Sequence, residues 1–203
     1  MTRQIFALTV FAASIVCMAQ DQPQAGTDPQ ESKVALTENC TAAAGTLLQI
    51  GEHGMSTIVP PSGWKFAKLE DRALAVSPEG KSLLAASEGP AGNENALLAT
   101  LTKLSADSAI EKVKFDRLKK RLKKPQISLD ANGSRVDLWE VSKATGNGSN
   151  PELHEQGPGT LLMFVVHVAP ERSVTGLGFV VVPEAQADAE KIMAAVQSVK
   201  GAP

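Results

Sequence analysis

Short apolar runs separated by turn residues dominate the chain after residue 70. Each run covers about five to ten residues, is alternating or continuously apolar, and is bounded by Gly, Pro, Asn or Asp, as expected for β-strands. Asn132-Gly133 is the strongest short hairpin signal in the sequence. The pattern predicts three hairpins, formed by residues 72–77 with 81–87, 126–131 with 134–144, and 160–169 with 173–183.

The remaining periodic segments predict one more strand and two helices. Residues 95–104, NALLATLTKL, are interpreted as a strand. A helix is predicted to begin at Ser108, because Glu111 follows three residues later in the spacing of a capping box. The second helix is predicted over residues 184–200, with Gly201 as its C-terminal stop.

The predicted order is three strands, a helix, four strands and a helix. The last hairpin is apolar at almost every position, which is typical of central strands covered on both faces. A mostly antiparallel sheet that is apolar on both faces needs helices on each side. The predicted fold class is therefore α/β, in the form of a three-layer α/β/α sandwich with a mostly antiparallel sheet.

The segment VPPSGWKFAKLEDRALAVSPEGKSLLAAS, residues 59–87, resembles the opening of the PsbP-like superfamily, which includes periplasmic DcrB-like proteins. Its features are Pro60-Pro61 before Gly63-Trp64, followed by a hairpin carrying SPEG. The likeness extends to the closing IMAAVQSV segment and covers residues 56–200. The resemblance implies the same sandwich fold. It implies no particular function, because members of one fold family perform unrelated tasks.

The first residues of the chain have the pattern of a secretory signal peptide: Arg3, an apolar run over residues 5–19, and a polar spacer over residues 20–33. The apolar run is shorter than the roughly 20 residues that span a bilayer as a helix. The sequence predicts an exported protein, periplasmic or extracellular, divided into a signal peptide (1–19), a flexible linker (20–50) and a single PsbP-like domain (51–203).

Two points near the N-terminus leave alternatives open. Cys17 could carry a lipid and anchor the protein to the envelope, although Val16 departs from the small residue that normally precedes a lipidated cysteine. Within the predicted linker, residues 41–50 fit either a short helix or a first strand, and the strand pattern becomes clear near Ser56.

Motifs for catalysis and cofactor binding are missing from the sequence. His53, His154 and His167 are widely separated and form no metal-binding motif. After signal cleavage Cys40 is the one remaining cysteine, so no internal disulfide is expected. No nucleophile elbow or phosphate-binding loop is present. We therefore expect no cofactor, no metal and no enzymatic activity, and interpret His167 as a structural histidine at the boundary between sheet and helix.

Residues 111–124, EKVKFDRLKKRLKK, form a strongly basic segment with eight Lys or Arg and two acidic residues. The rest of the chain after residue 19 carries eleven basic and twenty acidic residues, so charge is strongly separated. The segment is interpreted as an amphipathic helix. Its charged face is either simply solvated, with basic residues complementing the helix dipole, or it contacts a partner through Lys112, Lys119, Lys120, Lys123 and Lys124.

The expected partner is an anionic membrane surface or an acidic envelope protein, and the predicted function is that of an exported, non-catalytic accessory or binding protein. Nucleic acid is not expected, because the chain has no Tyr, only 4% aromatic residues and an export signal.

The alternative function is a small-molecule binder or hydrolase that uses a cleft near loop 146–159. Trp139 and His154 are the residues that this alternative would use.

Overall fold

The computed structural model describes residues 41–51, 55–68, 71–108, 110–111, 115–146, 158–181 and 186–201. Several sequence predictions fall outside these residues. They are the signal peptide, the linker up to residue 40, the lipidation of Cys17, and the roles of Cys40, His53, Lys112 and His154.

Three helices and eleven strands are present in the described part of the chain. The helices are α1 (Glu94–Asp107), α2 (Phe115–Leu122) and α3 (Gln186–Gln197). The strands are β1 (Leu48–Ile50), β2 (Ser56–Ile58), β3 (Lys65–Lys68), β4 (Arg72–Val76), β5 (Ser82–Pro90), β6 (Ile110–Glu111), β7 (Ile127–Ala131), β8 (Ser134–Gly146), β9 (Pro158–Ala169), β10 (Arg172–Val181) and β11 (Lys200–Gly201).

An eight-stranded antiparallel sheet forms the centre of the molecule, in the order β3-β4-β5-β10-β9-β8-β6, with β7 also paired to β8. The three predicted hairpins are confirmed as β4–β5, β7–β8 and β9–β10. Asn132 and Gly133 have φ angles of 52° and 78°, the left-handed conformation that a tight two-residue hairpin requires. A small second sheet has the order β1-β2-β11.

The large sheet is covered by helices on both faces, so the three-layer α/β/α sandwich is confirmed. Strand β9 shows why, because its side chains alternate between two cores. Met163 and Val165 pack in the cluster that includes Leu118 and Leu122 of α2 and two leucines of α1. Phe164 and Val166 pack in the other cluster, with α3 residues Ile192, Ala195 and Val196 and with the small sheet.

The prediction of a strand over residues 95–104 was wrong, because this segment lies in α1. Leu97, Leu101 and Leu104 recur at the helical spacing and pack on the sheet. The helix begins after Asn93, whose side-chain oxygen accepts hydrogen bonds from the backbone N–H groups of Asn95 and Ala96 at 3.0 and 3.1 Å.

The predicted helix start at Ser108 was also wrong. Ser108 is the C-cap of α1, where its backbone N–H donates to the carbonyl of Leu104 at 3.0 Å. The chain then forms the short strand β6, and Ser105 Oγ donates to the carbonyl of Ile110 at 2.8 Å. Helix α2 is described only from Phe115. The Ser–Glu spacing of a capping box is therefore coincidental here.

The folded domain begins before the predicted boundary at residue 51. Residues 41–50 are not a flexible linker, because Ala42, Leu48 and Ile50 are buried in the core. The backbone N–H of Ala42 donates to the carbonyl of Trp64 at 2.8 Å. Of the two alternatives for this segment, the strand is present, as β1.

The C-terminal helix ends earlier than predicted. Helix α3 ends at Gln197, and Lys200 and Gly201 form β11 rather than a helical turn and its stop. They pair with Thr57 and Ser56 of β2. This pairing ties the C-terminal segment to the N-terminal segment of the domain.

Candidate functional site

Helix α2 displays a group of exposed basic residues at its C-terminal end. We call this group the basic cluster and define it as Lys119, Lys120, Arg121, Lys123 and Lys124, all of which are exposed. Leu118 and Leu122 on the opposite side of the helix are buried against the sheet. The amphipathic interpretation of this segment is therefore confirmed for the described residues, and four of the five predicted contact lysines lie on the surface.

The basic cluster has little internal charge compensation. Lys119, Lys120 and Arg121 lie in the last turn of α2, and Lys123 and Lys124 are the two residues that follow the helix. Lys119 Nζ donates to the neutral Asn95 Oδ1 at 3.1 Å. Within the described residues, no ion pair joins the cluster to an acidic side chain. Its positive potential is therefore directed to solvent.

Trp139 fixes the position of the basic cluster. Its indole Nε1 donates to the backbone carbonyls of both Arg121 and Lys124, each at 3.1 Å. The carbonyl of Arg121 also accepts from the backbone N–H of Lys124 at 3.2 Å, so the indole holds together the last turn of α2 and the residues that follow it. The sequence suggested Trp139 as part of a ligand cleft. The structure adds a second role, as the anchor of α2 on β8.

A polar network lies beside this anchor on the same face of the sheet. The carboxylate of Asp137, only 9% exposed, accepts hydrogen bonds from Ser128 Oγ at 2.6 Å and from Arg135 Nε at 2.9 Å through Oδ1. Its Oδ2 lies 3.0 Å from Nε2 of His167. The structure therefore supplies a partner for His167, in agreement with its interpretation as a structural histidine.

The network keeps Asp137 ionised. Burial by itself raises the pKa of this carboxyl, but the hydrogen bonds from Ser128, His167 and Arg135, together with the Arg135 charge, outweigh burial and lower the pKa below its ordinary value of 3.8. Because the carboxylate can only accept, Nε2 of His167 donates to it.

We expect the network to stabilise the fold in a pH-dependent manner. Because the pKa of Asp137 is lower in the folded state, its contribution is complete above its ordinary pKa of 3.8 and is lost as the pH falls through the folded value. Asp137→Asn should lower the free energy of unfolding by about 2 kcal/mol at neutral pH. Urea unfolding at several pH values should show this difference shrinking below pH 3.8.

The exposed residue Asp130 on β7 provides the control for this series. Asp130→Asn should change the free energy of unfolding by less than about 0.5 kcal/mol at any of these pH values. A constant difference between wild type and Asp137→Asn across the acid range would contradict the assignment.

A cleft of about 210 Å³ lies above the network, between the first turn of α1, the end of α2 and strands β8, β9 and β10. Arg135 and His167 are accessible in it, with side chains 58% and 36% exposed. The lining comprises Pro90, Gly92, Asn93, Glu94, Leu97, Leu122, Lys123, Pro125, Arg135, Asp137, Trp139, Val165, His167, Ser173 and Thr175.

The position of this cleft differs from the one predicted from sequence. Trp139 lines it, but neither Gly146 nor Pro158, the described residues that flank the predicted loop, does so. Residues 147–157, including His154, lie outside the described residues. The cleft is found near the Arg135 end of β8, and Asp137 in its lining lies nine residues, or about 30 Å along the strand, from Gly146.

Sequence reasoning missed Arg135 and Asp137 as site residues. Both lie on the same face of β8 as Trp139, because side chains two apart share a face. Asp137 therefore faces a buried apolar layer, where a charged residue is rare unless it is paired. The signal in the sequence was therefore a charged residue on the covered face of a strand. It can be recognised once the strand and that face have been assigned.

Metal binding and membrane crossing find no support in the described part of the chain. Among these residues, no three His, Cys, Asp or Glu side chains converge in an arrangement that could hold a metal ion. No helix among them combines the length and apolar character needed to cross a bilayer.

Comparison with known proteins identifies no family. No family model matches the chain, and no curated protein matches it. A crystal structure of a protein from Bacteroides thetaiotaomicron VPI-5482 is similar over 76% of this chain, with 12% identity and a TM-score of 0.44. The chain spans about half of that protein, 47% of its length.

A single-residue variant of the protein Mog1 is similar over 77% of this chain and 96% of its own length, with 10% identity and a TM-score of 0.36. At these TM-scores the two similarities carry no argument about function. Membership of the PsbP-like superfamily stays a prediction.

Proposed function

We propose that the protein is an exported, non-catalytic binding module that docks to an anionic phospholipid surface through the basic cluster. The observation that carries this proposal is the fixed display of Lys119, Lys120, Arg121, Lys123 and Lys124 on one helix end, without an acidic partner among the described residues. Buried leucines and the two Trp139 hydrogen bonds hold that helix end on the sheet.

The expected affinity is modest and salt-dependent. A basic residue near an anionic bilayer contributes about 1 kcal/mol, so five engaged together correspond to a dissociation constant on the order of 0.1 mM. Exposed charges are screened by salt, so binding should weaken strongly as the ionic strength rises. Such an interaction orients a protein at a surface that it already lies near.

The predicted export, which is part of this proposal, is compatible with a weak surface interaction. A signal peptide would deliver the protein to the envelope, and the predicted polar linker would let the domain approach the membrane from a tether. If Cys17 carries a lipid, the acyl chain and the basic cluster would supply the two signals that stable membrane attachment needs.

The test measures binding of the mature protein to vesicles of phosphatidylglycerol and phosphatidylcholine in equal parts. Binding is measured by co-sedimentation at several salt concentrations. The informative variant carries Lys119→Gln, Lys120→Gln, Lys123→Gln and Lys124→Gln. Loss of four charges should weaken binding on the order of a thousandfold, which places it below detection.

A matched control carries Lys68→Glu and Lys200→Glu on the α3 side of the sheet, where both lysines are exposed. It changes the net charge by the same amount and should bind nearly as well as the wild type. Equal losses in both variants would show that total charge, not the cluster, governs binding. Failure of the wild type to bind these vesicles, with salt-sensitive capture of an acidic envelope protein instead, would replace the lipid surface by a protein partner.

The cleft between α1, α2 and the sheet favours the second candidate function, small-molecule binding. It does so at a different place from the loop suggested by the sequence.

A further inference from the structure

We propose that the cleft between α1, α2 and strands β8–β10 binds a small organic carboxylate, with its charged group held by Arg135 and Lys123 and its apolar body against Leu97, Leu122 and Trp139. These five residues belong to three different elements and to the turn after α2, and all line the cleft. The site is independent of docking by the basic cluster, apart from the shared residue Lys123.

The guanidinium group of Arg135 is held in an orientation in which it can bind an anion. Its Nε is bound to Asp137 at 2.9 Å, which fixes the orientation of the guanidinium group. No partner among the described residues is found for its terminal nitrogens, and the side chain is 58% exposed. The planar guanidinium fork matches the two oxygens of a carboxylate, whereas an ammonium group acts as a point charge.

Asp137 acts as a positioning residue. Its two oxygens accept from Ser128, Arg135 and His167, so both are occupied by the donors that they orient. Arg135 and His167 are direct partners in the β8–β9 register. The floor of the cleft therefore presents a preorganised row of side chains on one face of the sheet.

The charge balance favours a monoanion over a phosphate dianion. Lys123 and Arg135 contribute two positive charges to the lining, and Asp137 and the exposed Glu94 at the start of α1 contribute two negative charges. A single negative charge can pair with Arg135 while avoiding Glu94. A dianion would be repelled more strongly by the same acid.

The size and apolar wall of the cleft restrict the ligand further. A volume of about 210 Å³ lies below the range of about 300–1,000 Å³ for sites that enclose drug-sized molecules. The side chains of Leu97, Leu122, Val165 and Trp139 give one wall apolar character. A benzoate- or hexanoate-sized acid fits these limits.

The experiment is a titration of the ¹⁵N-labelled mature protein with sodium benzoate, with hexanoate, and with neutral benzamide as the matched probe. Trp139 lines the cleft, so its indole N–H signal reports ligand binding there. Trp64 is fully buried in the opposite core, so its indole N–H signal serves as the control. Benzoate should shift the Trp139 signal with a dissociation constant on the order of 1 mM, while the Trp64 signal stays in place.

Three variants test the charge assignment. Arg135→Gln should weaken benzoate binding about tenfold or more, and Arg135→Lys should give an intermediate loss because it keeps the charge without the fork. Glu94→Gln should strengthen binding about twofold because it removes the opposing charge. The combined variant Lys119→Gln and Lys120→Gln should leave benzoate binding unchanged, which separates this site from membrane docking.

Arg135 is exposed, so its variants are expected to fold, and urea unfolding verifies this. The proposal is overturned if benzamide shifts the Trp139 signal as strongly as benzoate does, or if folded Arg135→Gln binds benzoate like the wild type. It is equally overturned if inorganic phosphate binds more tightly than either acid, or if saturating concentrations of both acids leave the Trp139 signal unmoved.

Discussion

Replacing Trp64 by alanine is expected to lower the free energy of unfolding by about 3–5 kcal/mol, the largest effect among the substitutions considered. The side chain has no exposed surface and packs in the core that joins the large sheet, the small sheet and α3. Its backbone carbonyl also accepts from the N–H of Ala42 at 2.8 Å. The truncation leaves a large cavity that this tightly connected region can refill only in part.

Urea unfolding followed by far-ultraviolet circular dichroism measures the effect. Trp64→Phe keeps an aromatic ring and should cost less than half as much as Trp64→Ala, which keeps the comparison informative if the alanine variant does not fold. Leu47→Ala, at a side chain that is 65% exposed, should change the free energy of unfolding by less than about 0.5 kcal/mol. A similar loss for Trp64→Ala and Leu47→Ala would contradict the structure.

Gly176→Ala is expected to destabilise the protein by about 1–3 kcal/mol through overpacking. A Cβ atom at this position would overlap Cζ of Phe164 and lie 2.5 Å from the carbonyl oxygen of Ala85. The phenylalanine belongs to the neighbouring strand and is fully buried, and the carbonyl is part of the sheet backbone. Neither can move without disturbing the central strands.

Gly89→Ala provides the matched control, since Gly89 lies in β5 and a Cβ atom there would meet nothing within 4 Å. Its substitution should be neutral or slightly stabilising, because alanine reduces the conformational freedom of the unfolded chain. Equal midpoints of urea unfolding for Gly176→Ala and the wild type would show that the ring of Phe164 does not lie over the glycine.

Both proposed sites depend on the end of α2, which is too short to be stable by itself. The described helix has eight residues, and isolated helices of this length are marginal in water. Burial of Leu118 and Leu122 and the hydrogen bonds of Trp139 therefore determine where the basic cluster and Lys123 lie. A surface helix with this support can present charge in a fixed orientation, as docking and ligand binding both require.

The sequence alone determined the three hairpins and the layered fold class. Turn signals such as Asn132-Gly133 act locally, because the required left-handed backbone depends on the residues of the turn themselves. The uninterrupted apolar character of residues 160–169 and 173–183 likewise indicated central strands, since such strands must be covered on both faces. The exposed basic face of α2 was also predictable from its periodicity.

Tertiary contacts decided the features that the sequence analysis missed. Residues 95–104 form a helix because the sheet offers an apolar surface to Leu97, Leu101 and Leu104, and β1 forms because it can pair with β2. The cleft exists only where α1, α2 and three strands meet, so Arg135, Asp137 and His167 become neighbours through strand register. Pairing across 30 or more residues depends on the packed fold, and no local pattern of residues encodes it.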